Sequence, residues 1–129
     1  MTLDSSALVA ILFGEPGYLD LVDRILESDH VRIGAPTVVE TSLVFAGRQK
    51  SAGNSETVEA LLKELGATVV PFGDREWHVA VEAFRRYGRG RHQAGLNFGD
   101  CLAYAVAVSA GDSLLFVGED FARTDVTRA

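Results

Sequence analysis

Short apolar runs alternate with helix-length stretches along the whole chain, and that alternation leaves few folds open. Apolar segments fall at about residues 1–4, at Val31-Arg32-Ile33, at Ala67-Thr68-Val69-Val70 and at residues 113–117. Between them, apolar residues recur at helical spacing: Ala7, Leu8, Ile11 and Leu12, then Tyr18, Leu21, Val22, Ile25 and Leu26. Connections of that length join parallel strands through right-handed crossovers. The expected fold class is therefore α/β, a three-layer α/β/α sandwich around a central parallel sheet. At 129 residues, one domain spanning 1–129 is expected.

Breaker residues punctuate this pattern. Gly14-Glu15-Pro16-Gly17 separates the first two helices, and Gly34-Ala35-Pro36 ends the second strand. Thr37-Val38-Val39-Glu40 then opens a helix running to about Lys50. After the loop Ser51-Ala52-Gly53-Asn54, Asn54 or Ser55 caps a helix carrying Val58, Leu61, Leu62 and Leu65, stopped by Gly66. Pro71 closes the third strand. Asp74 is placed to cap a helix carrying Trp77, Val81 and Phe84, and Trp77, like Tyr18 and Tyr104, is expected in the core. Three glycines in residues 88–95 predict a mobile loop. Asn97 caps the most apolar helix, residues 101–108, which Gly111 stops. The tail from Phe121 is expected to add a fifth edge strand or to fray.

On this scheme several acids gather where the strands end, the side on which open α/β sheets bind ligands. Asp4 closes the first strand, although aspartate is depleted in strands. Ser5 or Ser6 could cap the following helix, which leaves Asp4 free. Glu40 has a rival role, because Thr37-x-x-Glu40 matches a capping box, and spacing alone favours the cap. Asp100 lies three residues after Asn97 and faces the same objection, yet it opens a nearly all-apolar helix whose N-terminus points into the molecule. Glu119 and Asp120 follow the last strand and could be turn residues after Gly118. Carboxylates that converge without basic partners raise one another's pKa unless a cation neutralises them. Hard oxygen donors of this kind suit Mg²⁺ or Mn²⁺, so a metal-dependent site is expected.

Other chemistries find less support. A single cysteine, Cys101, excludes an internal disulfide and a thiolate zinc cluster; with apolar neighbours it reads as a core residue. His30, His78 and His92 are too scattered for a zinc site. The formal charge of −6 argues against nonspecific duplex DNA binding. Arg85, Arg86, Arg89, Arg91 and His92 form the one basic cluster. It reads either as a solvated helix end or as a phosphate-steering rim beside the metal. No apolar run approaches the roughly 20 residues that span a bilayer, and the chain enters a strand without a charged leader. The expected location is the cytoplasm, with no membrane partner.

The ordered set Leu3-Asp4-Ser5-Ser6-Ala7, Thr37-Val38-Val39-Glu40-Thr41, Gly88-Arg89-Gly90-Arg91-His92 and Leu96-Asn97-Phe98-Gly99-Asp100-Cys101 resembles the PIN-domain ribonucleases. More specifically it resembles the VapC-type toxins of bacterial toxin–antitoxin pairs. The ending Leu114-Leu115-Phe116-Val117-Gly118-Glu119-Asp120-Phe121 with Thr124-Asp125-Val126 belongs to the same pattern, so the likeness covers nearly the whole length.

The resemblance implies a Mg²⁺-dependent endoribonuclease, with Mn²⁺ as an alternative ion, acting on single-stranded RNA regions and leaving 3′-hydroxyl and 5′-phosphate ends. It makes Asp4 and Asp100 the metal ligands and Glu40 a third catalytic acid, reversing the preference for a purely structural cap. Ser6 becomes a supporting hydroxyl. A fourth acid falls to Asp120, or to Glu119, because Gly118 occupies the place of the family's usual aspartate. The resemblance further implies a homodimer silenced by a cognate antitoxin, with Arg85, Arg86, Arg89, Arg91 and His92 reaching the RNA. Two rivals remain in view. One is a catalytically silent binding module of the same fold. The other is a phospho-receiver domain, disfavoured because Lys50 and Lys63 lie mid-chain.

Overall fold

The computed structural model describes residues 1–49 and 55–129. The expected loop 51–54, the end of the preceding helix at Lys50 and the Asn54 cap lie outside the described residues. Elements run in the order β1 (Thr2–Leu3), α1 (Ser5–Phe13), α2 (Tyr18–Leu26), β2 (Arg32–Gly34), α3 (Ala35–Gln49), α4 (Ser55–Glu64), β3 (Thr68–Val70), α5 (Asp74–Tyr87), α6 (Phe98–Ala110) and β4 (Leu114–Leu115).

All four strands are parallel, in the order β3-β2-β1-β4. Thr2 registers with Arg32 on one side and Leu114 on the other. The chain leaves β1 towards β2 and β3, then returns through α6 to lay β4 on the opposite side of β1. That reversal creates a switch point between the carboxyl ends of β1 and β4, where a crevice opens. Successive strand residues face opposite layers. Leu3, Ile33 and Leu115 join Ala7, Leu8, Ile25, Val58 and Leu62 in one core; Leu114 and Phe116 join Ala83, Tyr87, Ala103, Tyr104 and Phe121 in the other. The three-layer α/β/α sandwich expected from the sequence is what forms. No single described helix is long and apolar enough to cross a membrane.

Several boundaries differ from expectation. Helix α3 begins at Ala35, directly after β2, so Pro36 sits inside its first turn. Proline is at home there because its missing N–H would have no intrahelical partner. Asp74 is the first residue of α5 and not its cap; Gly73 takes that place, and Glu76 accepts from the Gly73 N–H at 2.8 Å. Residues 88–95 are not an open loop. Arg89 N–H donates to the Leu96 carbonyl, Leu96 N–H to Tyr87, and Arg91 and His92 N–H both to Gly88, which ties the segment down. The tail makes a partial fifth strand: Leu114 N–H donates to Thr127 and Ala129 N–H to Leu114, after a short 3-10 helix at Phe121–Arg123.

Trp77 corrects the expected core. It is 48% exposed, as are Val81 and Phe84 at 62% and 40%. Helix α5 buries Ala80, Ala83 and Tyr87 instead. Those alanines let α5 approach the small-residue face of α6, and the heavier stripe at equal helical spacing is left facing out. Trp77 stacks on His78 and donates its indole N–H to Asp74. Tyr104 is buried as expected, whereas Tyr18 is only partly so.

Helix α6 also lies close against β2. A β-carbon on Gly34 would meet Val106 Cγ2 at 2.8 Å, and valine is stiff at χ1. Gly34→Ala is therefore expected to lower unfolding free energy by about 1–3 kcal/mol in urea titrations, the usual scale of core overpacking. Val106→Ala in the same chain should restore part of the loss; an unchanged midpoint for Gly34→Ala would contradict this packing.

Candidate metal and phosphodiester site

Asp4 follows β1 at the switch point and is 3% exposed. Its N–H donates to the Leu115 carbonyl at 3.0 Å, which fixes it against β4. Its side chain caps α1 after all: Oδ2 accepts from the Ser6 N–H at 2.9 Å and from the Ser6 hydroxyl at 2.5 Å. Ser6 Oγ in turn accepts from the Val117 N–H at 3.0 Å. One hydroxyl thus links the end of β1, the start of α1 and the chain leaving β4. Only one Asp4 oxygen is used. Oδ1 is buried without a hydrogen-bond partner among the described residues.

Glu40 sits in the second turn of α3, and the Thr37-x-x-Glu40 capping box does not form because the helix begins two residues earlier. Its carboxylate lies against the backbone of Gly99: a β-carbon there would come within 2.6 Å of the Glu40 carboxyl carbon. Glycine at 99 is what allows a side chain of α3 to reach the start of α6. Asp100 does form a capping box with Asn97, the rival role that its spacing raised. Its Oδ2 accepts from the Asn97 N–H at 2.7 Å, and Asn97 Oδ1 accepts from the Asp100 N–H at 2.9 Å. That reciprocal pair holds one Asp100 oxygen and fixes the carboxylate.

The three carboxylates feel one another. Burial raises the Asp4 pKa above the ordinary range; hydrogen bonds from Ser6 oppose the rise, and the charge of Glu40 adds to it. Burial also raises Glu40, opposed by the nearby Ser5 hydroxyl and reinforced by Asp100. Burial raises Asp100, opposed by the Asn97 N–H; Asp4 and Asp120 push it further up while Arg89 pulls it down. Among the described residues no three acidic, histidine or cysteine side chains are drawn tightly enough together to make a finished ligand set. The arrangement is a constellation within Coulombic range and not a preformed cage. It nonetheless fits a hard divalent ion: the donors are carboxylate oxygens, they repel one another, and one buried oxygen lacks a partner.

Asp120 is exposed on the segment after β4, and its side chain makes no bond to the helix it precedes. Asp120, and not Glu119, is the acid whose charge acts on Asp100. Glu119 engages through its backbone, accepting from the Ala122 N–H.

The basic cluster divides. Arg85 is held by both oxygens of Glu82 at 2.7 and 2.8 Å, and Arg86 donates to Asp125 and to the Tyr87 hydroxyl. Arg89 lies within range of Asp100. The Arg91 guanidinium stands over the Phe84 ring at 5.5 Å, and His92 packs edge-on to Tyr87 while accepting from the Ala94 N–H. Cys101 is buried, and burial pushes its thiol up to about 11, which suits a core residue and not a nucleophile. Lys63, the one described candidate for a receiver-type lysine, is exposed on α4. From the sequence, Ser5 stands out only as a candidate cap and Gly99 only as a member of its motif, neither as a neighbour of Glu40. Nothing in periodicity distinguishes them, since both matter through a neighbour supplied by α3.

Comparison with known proteins places this geometry. The sequence profile of the PIN domain matches residues 1–126. The chain is 41% identical over 127 residues to Ribonuclease VapC of Mycolicibacterium smegmatis, covering 98% of this chain and 97% of that one. It is 39% identical over 127 residues to Ribonuclease VapC30 of Mycobacterium tuberculosis, covering 98% and 95%. Among solved structures, the Sarcin-Ricin loop cleaving toxin VapC20 of Mycobacterium tuberculosis superposes with a TM-score of 0.74 at 18% identity, covering 99% of this chain and 97% of that one. A toxin–antitoxin complex from Klebsiella pneumoniae gives 0.73 at 15%, covering 99% and 95%. At those identities the two structures speak for the fold alone.

The raised pKa values carry a stability consequence with a definite sign. A carboxyl whose folded pKa exceeds its unfolded one binds protons more tightly when folded. Its contribution therefore weakens as pH rises from the ordinary carboxylate value through the raised one. At low salt and without divalent ions, the thermal midpoint of Asp100→Asn should gain on that of the wild type as pH climbs through this window. Added Mg²⁺ should reverse the trend. Parallel pH profiles by calorimetry would contradict the electrostatic account.

Proposed function

The chain belongs to the PIN-domain family, and from that premise we propose that it is a metal-dependent endoribonuclease toxin of the VapC type. Its support is the near full-length identity of about 40% to proteins named VapC ribonucleases, taken with the site. The observation that carries the chemistry is the buried, half-satisfied Asp4 within Coulombic range of Glu40 and Asp100.

Asp4 and Asp100 are the residues that would hold the ion, each with one oxygen committed to a backbone amide and one left over. Mg²⁺ is the proposed ion and Mn²⁺ the alternative. When bound, a divalent cation lowers the pKa of a water and neutralises charge on a phosphodiester. Ser6 keeps the Asp4 carboxylate from turning, and Asn97 does the same for Asp100. Glu40, braced on Gly99, and Asp120 orient water, and one of them accepts the proton of the attacking water. Glu119 has no part in this scheme beyond shaping the turn. Among the described residues no histidine pair adjoins the carboxylates, which favours water over the RNA 2′-hydroxyl as the nucleophile. The products then carry 3′-hydroxyl and 5′-phosphate ends.

Arg89, Arg91 and His92 remain candidates for steering the RNA strand, and single-stranded RNA suits an open crevice at a sheet end. Arg85 and Arg86 are already paired and are weaker candidates. The partner that silences the enzyme is a cognate antitoxin. A basic antitoxin side chain among the carboxylates would neutralise them and compete with the ion, so a complex with full nuclease activity would refute this mode of control. The cytoplasm is the proposed location. A homodimer is proposed through the outward apolar face of α5 and α3. Trp77, Val81, Phe84 and Phe98 are exposed there beside Val39 and Leu43, and the clefts between them share Phe72, Phe98 and Leu102. Contiguous large apolar side chains on a surface mark an interface.

Two experiments test the reading. Asp100→Asn and Glu40→Gln keep the shape and remove the charge. Each is expected to lower kcat for metal-dependent RNA cleavage by about 100-fold or more with native secondary structure retained by circular dichroism, and with product ends mapped as above. Wild-type toxicity on expression of Asp100→Asn would count against metal catalysis. For the dimer, Val81→Arg should convert the protein to a monomer in light scattering; an unaltered mass would reject this face.

A further inference from the structure

We infer that Asp125 is a positioning residue for Asp120, held by a clamp of Arg86 and Tyr104 that sets the tail against α6. This rests on the nuclease reading above, in which Asp120 serves the site.

Helix α6 carries Asp100 and Tyr104 four residues apart, on one face of the helix. The tail carries Asp120 and Asp125 on either side of the 3-10 helix Phe121–Arg123. The two pairs meet with opposite sign. Asp120 acts on Asp100 as a like charge, whereas the Tyr104 hydroxyl donates to Asp125 Oδ1 at 2.5 Å. Arg86 donates to Asp125 Oδ2 at 3.1 Å and is itself fixed, donating to the Tyr87 hydroxyl at 2.6 Å with its guanidinium 4.7 Å from the ring centre. Between the two acids, Phe121 is 3% exposed and packs 5.0 Å from Phe116. Thr124 Oγ1 donates to the Phe121 carbonyl and accepts from the Val126 N–H, closing the turn.

The apolar anchor Phe121 and the backbone bonds of Leu114 to Thr127 and Ala129 already retain the tail. A half-exposed ion pair adds little stability to such a contact. What the clamp adds is register. Asp120 and Asp100 carry like charge, so nothing between them holds the tail to α6, and the attachment of Asp125 to Tyr104 one helical turn further along the same face supplies that hold. Arg86 then serves the site through the tail and makes no contact with RNA.

The test is a double-mutant cycle read in kcat, KM and Mn²⁺ affinity. Asp125→Asn should lower kcat about tenfold and weaken Mn²⁺ binding by a similar factor, as loss of a carboxylate's supporting contacts does, with KM unchanged. In an Asp120→Asn background the same change should cost nothing further. Tyr104→Phe, which removes one hydrogen bond and keeps the ring, should reproduce a milder form of the same non-additivity and serves if Asp125→Asn fails to fold. Arg86→Gln should follow Asp125→Asn in kcat. A rise in KM alone for Arg86→Gln would make it an RNA contact and overturn the inference, as would full additivity of Asp120→Asn with Asp125→Asn or wild-type kinetics in Asp125→Asn. Full activity in Asp100→Asn would instead remove the nuclease reading itself, which separates the two failures.

Discussion

Placing mutually repelling carboxylates at one end of a small parallel sheet, partly out of water, is the constraint on which this structure turns. Each ionised acid there loses hydration and meets like charge, and both effects raise its pKa. The fold answers with fixed donors. Ser6 supplies an amide and a hydroxyl to Asp4, and the Asn97 amide serves Asp100. Each of these holds one carboxylate oxygen and leaves the other available. A cation is the partner that would complete the balance, and hard divalent ions suit such donors.

The scaffold explains why these acids meet although they are spread over most of the chain. Strand order β3-β2-β1-β4 puts the exits of β1 and β4 side by side. Asp4 leaves one and Asp120 follows the other, with Ser6 bonded across the gap to Val117. Helix α3 starts without a loop after β2 and carries Glu40 to the base of α6, where Gly99 makes room. The alanine-rich packing of α5 on α6 sets the remaining wall and leaves a heavy aromatic stripe outside. One helix thereby packs the core with its small stripe and turns its heavy one to the surface.

Much of this was legible in the sequence because it depends on periodicity and local chemistry. Alternating apolar runs predict a parallel sheet, and Gly14, Gly66 and Gly111 end helices in left-handed conformations as expected. Spacing raised the Asn97–Asp100 capping box as a rival to the ligand role, and the box forms. Trp77 was misplaced because its stripe and the Ala80, Ala83, Tyr87 stripe have equal helical spacing, and only the approach of α6 decides which is buried. The capping box at Thr37 failed because a strand ran directly into its helix, which no spacing rule reveals. Arg85 and Arg86 read as part of one basic rim, yet tertiary and local acids claim both. Asp125 matched the family's ending, but its link to Tyr104 and Arg86 exists only once the tail folds back.

Diffraction from crystals soaked in Mn²⁺, collected at the manganese absorption edge, addresses the central claim most directly. The account predicts an anomalous peak at coordinating distance from Asp4 and Asp100, with Glu40 reaching it directly or through water. A peak only at other surface acids, with Asp4 Oδ1 still unpartnered at saturating Mn²⁺, would contradict it.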